Sequence, residues 1–322
     1  MTLAGGAAAL APLLAQDLAE TVSGDMRYRP LGRTGERVSL IGLGGFHLGD
    51  IDKEEDAIRL VRRAVDAGVT FMDNCWDYHN GVSELRMGKA LEGVRDKVFL
   101  MTKIDGRTRP AAARQIDESL RRLKTDRLDL LQIHEVIRLE DPDRIFAEGG
   151  AIEAVEAAKK AGKTRFIGFT GHKDPVVHLR MLETAAAHGV RFDTVQMPLN
   201  VMDAHFRSFG AQVLPVLLKE GVAPLAMKSL GSGMLLGSGV ASAVECLHYT
   251  MSLPVSTVIT GIDSPDILQQ ALDAVKSFKR LTAEEVAALL KKSADAAQHG
   301  KYELFKTAAR FDGTARHPEW ME

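Results

Sequence analysis

GVTFMDNCWDYHNGVSELRMGKAL, residues 68–91, reads as a short apolar strand that closes on an ionisable residue, Asp73, followed by a loop carrying Tyr78 and a helix-like stretch. Two later segments repeat the pattern: VFLMTK (98–103) closes on Lys103, and RLDLLQIH (127–134) closes on His134. In a barrel of parallel strands, the C-terminal strand ends and the loops after them carry the chemistry. These four residues therefore belong to one candidate site.

Working outward, the same alternation runs along the chain. VSLIGLG, VTFMD, KVFLMTK, LDLLQIH, TRFIGFT, FDTVQM, VAPLAMK and STVIT are eight apolar runs rich in β-branched or aromatic residues. Between them, stretches such as KEEDAIRLVRRAVDAG and SPDILQQALDAVKSF place apolar residues at three- and four-residue steps. Near-continuous apolar strands are buried on both faces, which implies a parallel sheet wrapped by helices. The expectation is an α/β chain of the (β/α)8 TIM-barrel class, a single domain over 27–322. LTAEEVAALLKKSADAAQ, opened by a capping box from Thr282 to Glu285, starts a C-terminal helical and loop extension.

At 322 residues and 45% hydrophobic content the chain buries a large core, and one barrel with extensions fits better than two domains. A net charge of −2, with Lys and Arg interspersed among acids, gives no electrostatic case for nucleic acid. The two cysteines, Cys75 and Cys246, are too few for a disulfide framework. Cys75 beside the site reads as a small buried hydrophobe. No zinc-type spacing occurs, so no metal is expected.

The four residues suit delivery of a hydride to a carbonyl. Negative charge develops on the carbonyl oxygen, and a tyrosine phenol, Tyr78, can supply the proton. An ammonium at Lys103 would lower the phenol's pKa from about 10, Asp73 would hold that lysine, and His134 would donate a second hydrogen bond to the developing alkoxide.

On these residues the chain resembles the aldo-keto reductases, whose segment reads roughly G-x-x-x-x-D-x-A-x-x-Y-G-x-x-E; Asp73 and Tyr78 fall in register with it, and Glu84 lies two positions beyond its Glu. The resemblance extends through GLGGF (42–46), FIGFTGH (166–172), VQMPLN (195–200), AMKSLGSGML (226–235) and STVITGIDS (256–264). It implies a nicotinamide-dependent oxidoreductase acting on a small carbonyl or alcohol. No G-x-G-x-x-G opens a helix, so the dinucleotide would lie across the barrel mouth with its phosphates at the loops after the seventh and eighth strands. Gly45, Phe46, Asp73, Leu230, Gly231, Gly233 and Ser264 are its expected contacts, with Thr170, Gly171 and Gln196 at the nicotinamide amide. Met227 stands where many relatives place an aromatic ring. Asp263 follows the eighth strand where many relatives carry a cation for a 2′-phosphate, which tilts the expectation from NADP(H) toward NAD(H); Lys228 is the competing source of charge.

Trp76, His79, Glu135 and His172 form the expected rim of the substrate pocket, and the C-terminal segment is expected to fold over the mouth near Phe311 or Trp320. Two alternatives stand beside the reductase: a metal-dependent sugar isomerase or lyase using Asp73, His79, Glu135 and His172, and a dinucleotide-binding sensor. Residues 1–26 read either as an Ala/Gly tail or as the latter part of an export signal, which leaves cytoplasm or export open. No stretch spans a membrane, and the oligomeric state is not legible.

Overall fold

The computed structural model describes residues 12–16 and 18–322. Three short antiparallel strands come first: β1 (Thr21–Ser23), β2 (Met26–Pro30) and β3 (Arg37–Ser39). Eight parallel strands then close into a barrel: β4 (Ile41–Gly44), β5 (Phe71–Asp73), β6 (Phe99–Ile104), β7 (Leu128–Ile133), β8 (Thr164–Thr170), β9 (Thr194–Pro198), β10 (Ala223–Met227) and β11 (Thr257–Gly261), with β11 returning to β4. The (β/α)8 expectation holds, and each strand lies within or against its apolar run.

Two apolar layers follow from burial on both strand faces. Inside the barrel, Phe71, Phe99, Met101, Leu130, Leu225 and Ile259 pack with Leu31 and Val38 from the preceding hairpin. Phe71 and Phe99 open their strands, so the hairpin plugs the N-terminal end of the barrel. Phe99 stacks between Phe71 at 5.5 Å and Phe166 at 6.2 Å. Each fully buried side chain of this size contributes roughly 1.5–3 kcal/mol. The outer layer joins the opposite strand faces to the helices. Plugging one end leaves the other for the site.

Strand pairing begins upstream of Arg27. Thr21, Val22 and Ser23 pair with Tyr28, Arg27 and Met26, and Glu20 accepts from Arg27 Nη1 at 2.6 Å and Arg29 Nε at 3.0 Å. β1 is three residues long and exposed throughout, so it carries no alternation to read. Of the apolar segment 2–16 that carries the export-like reading, residues 2–11 lie outside the described residues. Beyond the barrel, the capping box of Thr282 and Glu285 forms as expected and opens the helix Ala283–Ser293. Short turns over 304–321 then return to the mouth: Arg107 N donates to the Met321 carbonyl at 2.8 Å, and Gln115 Nε2 to that of Trp320 at 2.8 Å. Among the described residues, no helix is long and apolar enough to cross a membrane.

Candidate active site

Adjacent strand ends deliver the four residues. Asp73 ends β5, Lys103 is the penultimate residue of β6, and His134 directly follows β7. Lys103 and Asp73 are buried, with Nζ 3.0 Å from Oδ1 and 2.9 Å from Oδ2. The same ammonium donates to the Asn74 carbonyl at 2.7 Å and lies 3.2 Å from the Tyr78 hydroxyl. Three donors thus meet three partners, as a buried lysine requires. Gln196 Nε2 donates to Asp73 Oδ2 at 3.1 Å, tying β9 into the group.

Tyr78 stands over this pair because the chain turns sharply behind it. His79, Asn80 and Gly81 all adopt left-handed backbone (φ 51°, 54° and 87°) before the helix Val82–Ala90 begins. For His79 and Asn80 this costs ~1 kcal/mol or more each. The Phe46 ring meets Tyr78 edge-on at 5.3 Å, and the His134 ring does so at 5.9 Å. Burial pushes the phenol's pKa well up, and the nearby Asp73 carboxylate adds to the effect. Lys103 stands where it was expected, 3.2 Å from the hydroxyl, and the phenol's net shift is upward because burial dominates it. Tyr78 rests as a protonated phenol, ready to donate.

His134 Nδ1 lies 2.9 Å from Asp105 Oδ1, 3.2 Å from Cys75 Sγ and 3.6 Å from Asp77 Oδ1. Burial works against protonation of the ring, but the Asp105 and Asp77 carboxylates outweigh it and raise the pKa. Asp77 is itself pushed up to about 7, by burial first and by Asp105 second. Arg107, fully buried, donates to the carbonyls of His134 and Glu135 at 2.8 and 2.9 Å and fixes the loop after β7. Sequence reading missed Asp77, Asp105 and Arg107, although Asp105 follows β6 as His134 follows β7. Glu84, just beyond the motif's Glu position, is buried and accepts from Thr102 Oγ1 at 2.6 Å and Arg122 at 3.2 Å, a supporting position.

A cleft of about 370 Å3 runs from Tyr78 toward the start of the helix Pro265–Ser277. Of the expected cofactor contacts, Phe46, Asp73, Gln196, Met227, Lys228, Leu230, Gly233 and Asp263 line it, and His47, Ser229, Ser232 and Gln270 line it beside them. His47 reaches it by lying against Gly261, where a Cβ would collide with the ring. The floor fits a nicotinamide carboxamide: Gln196 Oε1 is buried without a donor, so an amide N–H would satisfy it. Phe46, 46% exposed, offers an apolar wall. At the far end, Ser264 Oγ caps the helix by accepting from Ile267 N at 3.4 Å. Lys228, Gly231, Ser232 and Gly233 all have φ between 57° and 81°, curling the loop after β10 beside the cleft. Gly45, Thr170, Gly171, Gly231 and Ser264 are not among the cleft's lining residues. A Cβ on Gly45 or Gly171 would collide with the carbonyl of Asp73 or Val136, so close packing accounts for both glycines.

Three of the expected rim residues have partners of their own. Glu135 accepts from Gly313 N at 2.9 Å and from Thr314 N and Oγ1 at 2.7 and 2.9 Å, so it clasps the C-terminal segment. His172 Nε2 lies 3.2 Å from Asp312 Oδ1 in the same clasp. His79 packs on Phe46 at 4.7 Å with Nε2 3.5 Å from Asp50. These three and Asp73 are thus held by separate partners, and among the described residues they form no metal-ligand group. Trp76 does meet the returning segment, its ring 5.9 Å from that of Trp320, while Phe311 lies 5.6 Å from Lys228 Nζ.

A family model described as the aldo/keto reductase family matches residues 40–244. The L-galactose dehydrogenase of Arabidopsis thaliana is 29% identical over 313 residues, covering 82% of this chain and 94% of its own. The aldo-keto reductase YhdN of Bacillus subtilis is 30% identical over 228 residues, covering 66% and 64%. Among solved structures, the holo form of aldo-keto reductase AKR11C1 from Bacillus halodurans superposes with a TM-score of 0.71 at 25% identity, covering 86% of this chain and 99% of that one.

Proposed function

The chain belongs to the aldo/keto reductase family, and from that premise we propose that Asp73, Tyr78, Lys103 and His134 carry its reaction. The protein is an NAD(P)-dependent oxidoreductase that moves a hydride between a nicotinamide dinucleotide and a carbonyl or alcohol. When bound, the dinucleotide supplies or takes up that hydride. Tyr78, held protonated, gives its proton to the carbonyl oxygen as the carbon is reduced, and takes it back in the oxidation. Lys103 steadies the phenolate left behind, and Asp73 keeps Lys103 charged and aimed. With Nδ1 committed to Asp105, His134 has Nε2 to offer the oxygen a second donor. The observation that carries this reading is the 3.2 Å approach of Lys103 Nζ to the Tyr78 hydroxyl at the head of the cleft.

The finer assignments are proposals too. Gln196 and Met227 would receive the nicotinamide, with Thr170 beside them, its Oγ1 4.0 Å from Met227 Sδ. The loop 228–233 and the helix after Ser264 would receive the phosphates. Among the described residues, Lys228 is the one lysine or arginine lining the cleft, and Asp263 stands at the end where a 2′-phosphate would need a cation. That balance favours NAD(H). The similarity to L-galactose dehydrogenase supports a hydroxylated, sugar-like substrate. Titration with NADH and with NADPH, followed by tryptophan fluorescence and then by turnover on aldoses and simple aldehydes, tests these assignments. Tighter NADH binding with turnover is the expected result; failure to bind either dinucleotide would remove the cofactor placement.

A further inference from the structure

Cys75, Asp77, Asp105 and His134 each offer one donor atom, and these four atoms all lie within 4.8 Å of one another. The measured separations from His134 Nδ1 are 3.2 Å to sulfur and 2.9 and 3.6 Å to the two carboxylate oxygens. An ion bound at about 2.0 Å to N and O and about 2.3 Å to S would, in a tetrahedron, set its ligands roughly 3.3–3.5 Å apart. The observed spacings bracket that edge. We propose that these four side chains form a binding site for one divalent ion of zinc-like character, on the Nδ1 side of His134.

A second observation is independent of the spacing. Asp105 is fully buried, and its Oδ2 has no hydrogen-bond partner; Asp77 Oδ1 is likewise sealed and unpartnered. Buried carboxylate oxygens without donors are costly, and a cation satisfies them. The donor set selects the ion: a thiolate and an imidazole favour Zn2+ over Mg2+ or Ca2+, which prefer all-oxygen shells. Cys75 is sealed, whereas His134 and Asp77 keep 11% and 13% side-chain exposure, which gives an entry from the barrel mouth. On binding, the Cys75 thiol and the His134 Nδ1–H each lose a proton to solvent, and the freed sulfur and nitrogen lone pairs enter the metal bonds; nothing is oxidised or reduced. Nδ1 coordination leaves the proton on Nε2, the atom assigned to the substrate oxygen, so the site does not depend on the hydride-transfer reading.

The test uses chelator-treated full-length protein titrated with Zn2+ alone in competition with a chromogenic chelator, and with Co2+ monitored for a thiolate-to-metal absorption band. The expected result is one equivalent bound, a cobalt–thiolate band, and affinity at least about a hundredfold weaker in Cys75→Ala and Asp105→Asn. Circular dichroism checks that both variants fold. If Asp105→Asn unfolds, the near-isosteric Cys75→Ser decides, since it must lose the band. Absence of stoichiometric binding, binding without the band, or affinity unchanged in Cys75→Ala would each overturn the site.

Discussion

Lys103 Nζ lies 2.9 Å from Asp73 Oδ2, inside a barrel end where neither side chain meets solvent. Removing one partner strands the other. Lys103→Met should therefore destabilise the protein by about 3–5 kcal/mol and lower turnover by roughly 10²–10⁴-fold. Adding Asp73→Asn should recover part of the stability and none of the turnover. Denaturant melts and kcat on both variants separate the two effects.

Lys228 sets a pH dependence on cofactor affinity. Burial pushes its ammonium down to about 8. Below that pH the cation is present to meet a pyrophosphate, and above it the charge is lost, so affinity should fall as pH rises through 8. Because a bound anion raises the lysine's pKa, binding at pH 8–9 should take up protons. Calorimetry in two buffers of different ionisation enthalpy measures the uptake, and Lys228→Met should flatten the profile.

Asp263 should decide between dinucleotides. Replacing it with Arg exchanges a repelled 2′-phosphate for a paired one, and a charge-assisted contact contributes about 1.5–3 kcal/mol. The NADPH-to-NADH ratio of kcat/KM should rise at least about tenfold in Asp263→Arg. An unchanged ratio would place 2′-phosphate discrimination elsewhere.

Glu135 anchors the C-terminal return through Gly313 and Thr314. Glu135→Ala leaves their N–H groups without the carboxylate, at a cost of about 1–3 kcal/mol. Hydrogen exchange should accelerate over 308–322 while the barrel strands stay protected, and KM for the carbonyl should rise more than kcat falls.

What the sequence disclosed and what it hid have physical reasons. Asp73, Lys103 and His134 could be read because each closes a strand whose apolar run is buried on both faces. Tyr78 was legible through its register with Asp73. The hairpin strand at Thr21 was not, being short and wholly exposed, with its pairing secured by Glu20. His47 enters the cleft only because Gly261, over two hundred residues away, has no Cβ. Glu135 and His172 looked like pocket groups because they follow strands β7 and β8, but the residues that claim them, 312–314, arrive from the far end of the chain. Cys75, Asp77 and Asp105 carry no motif spacing. What they share is position, one to four residues past adjacent barrel strands, and only barrel closure brings them to one ring nitrogen.

The most direct test of the central claim is Tyr78→Phe, with carbonyl turnover and dinucleotide affinity measured on the same preparation. The change removes one hydroxyl and keeps the ring against Phe46. The account predicts loss of turnover by at least about a hundredfold, with NADH affinity unchanged. Turnover that survives, or an equal loss of turnover and affinity, would contradict Tyr78 as the proton donor.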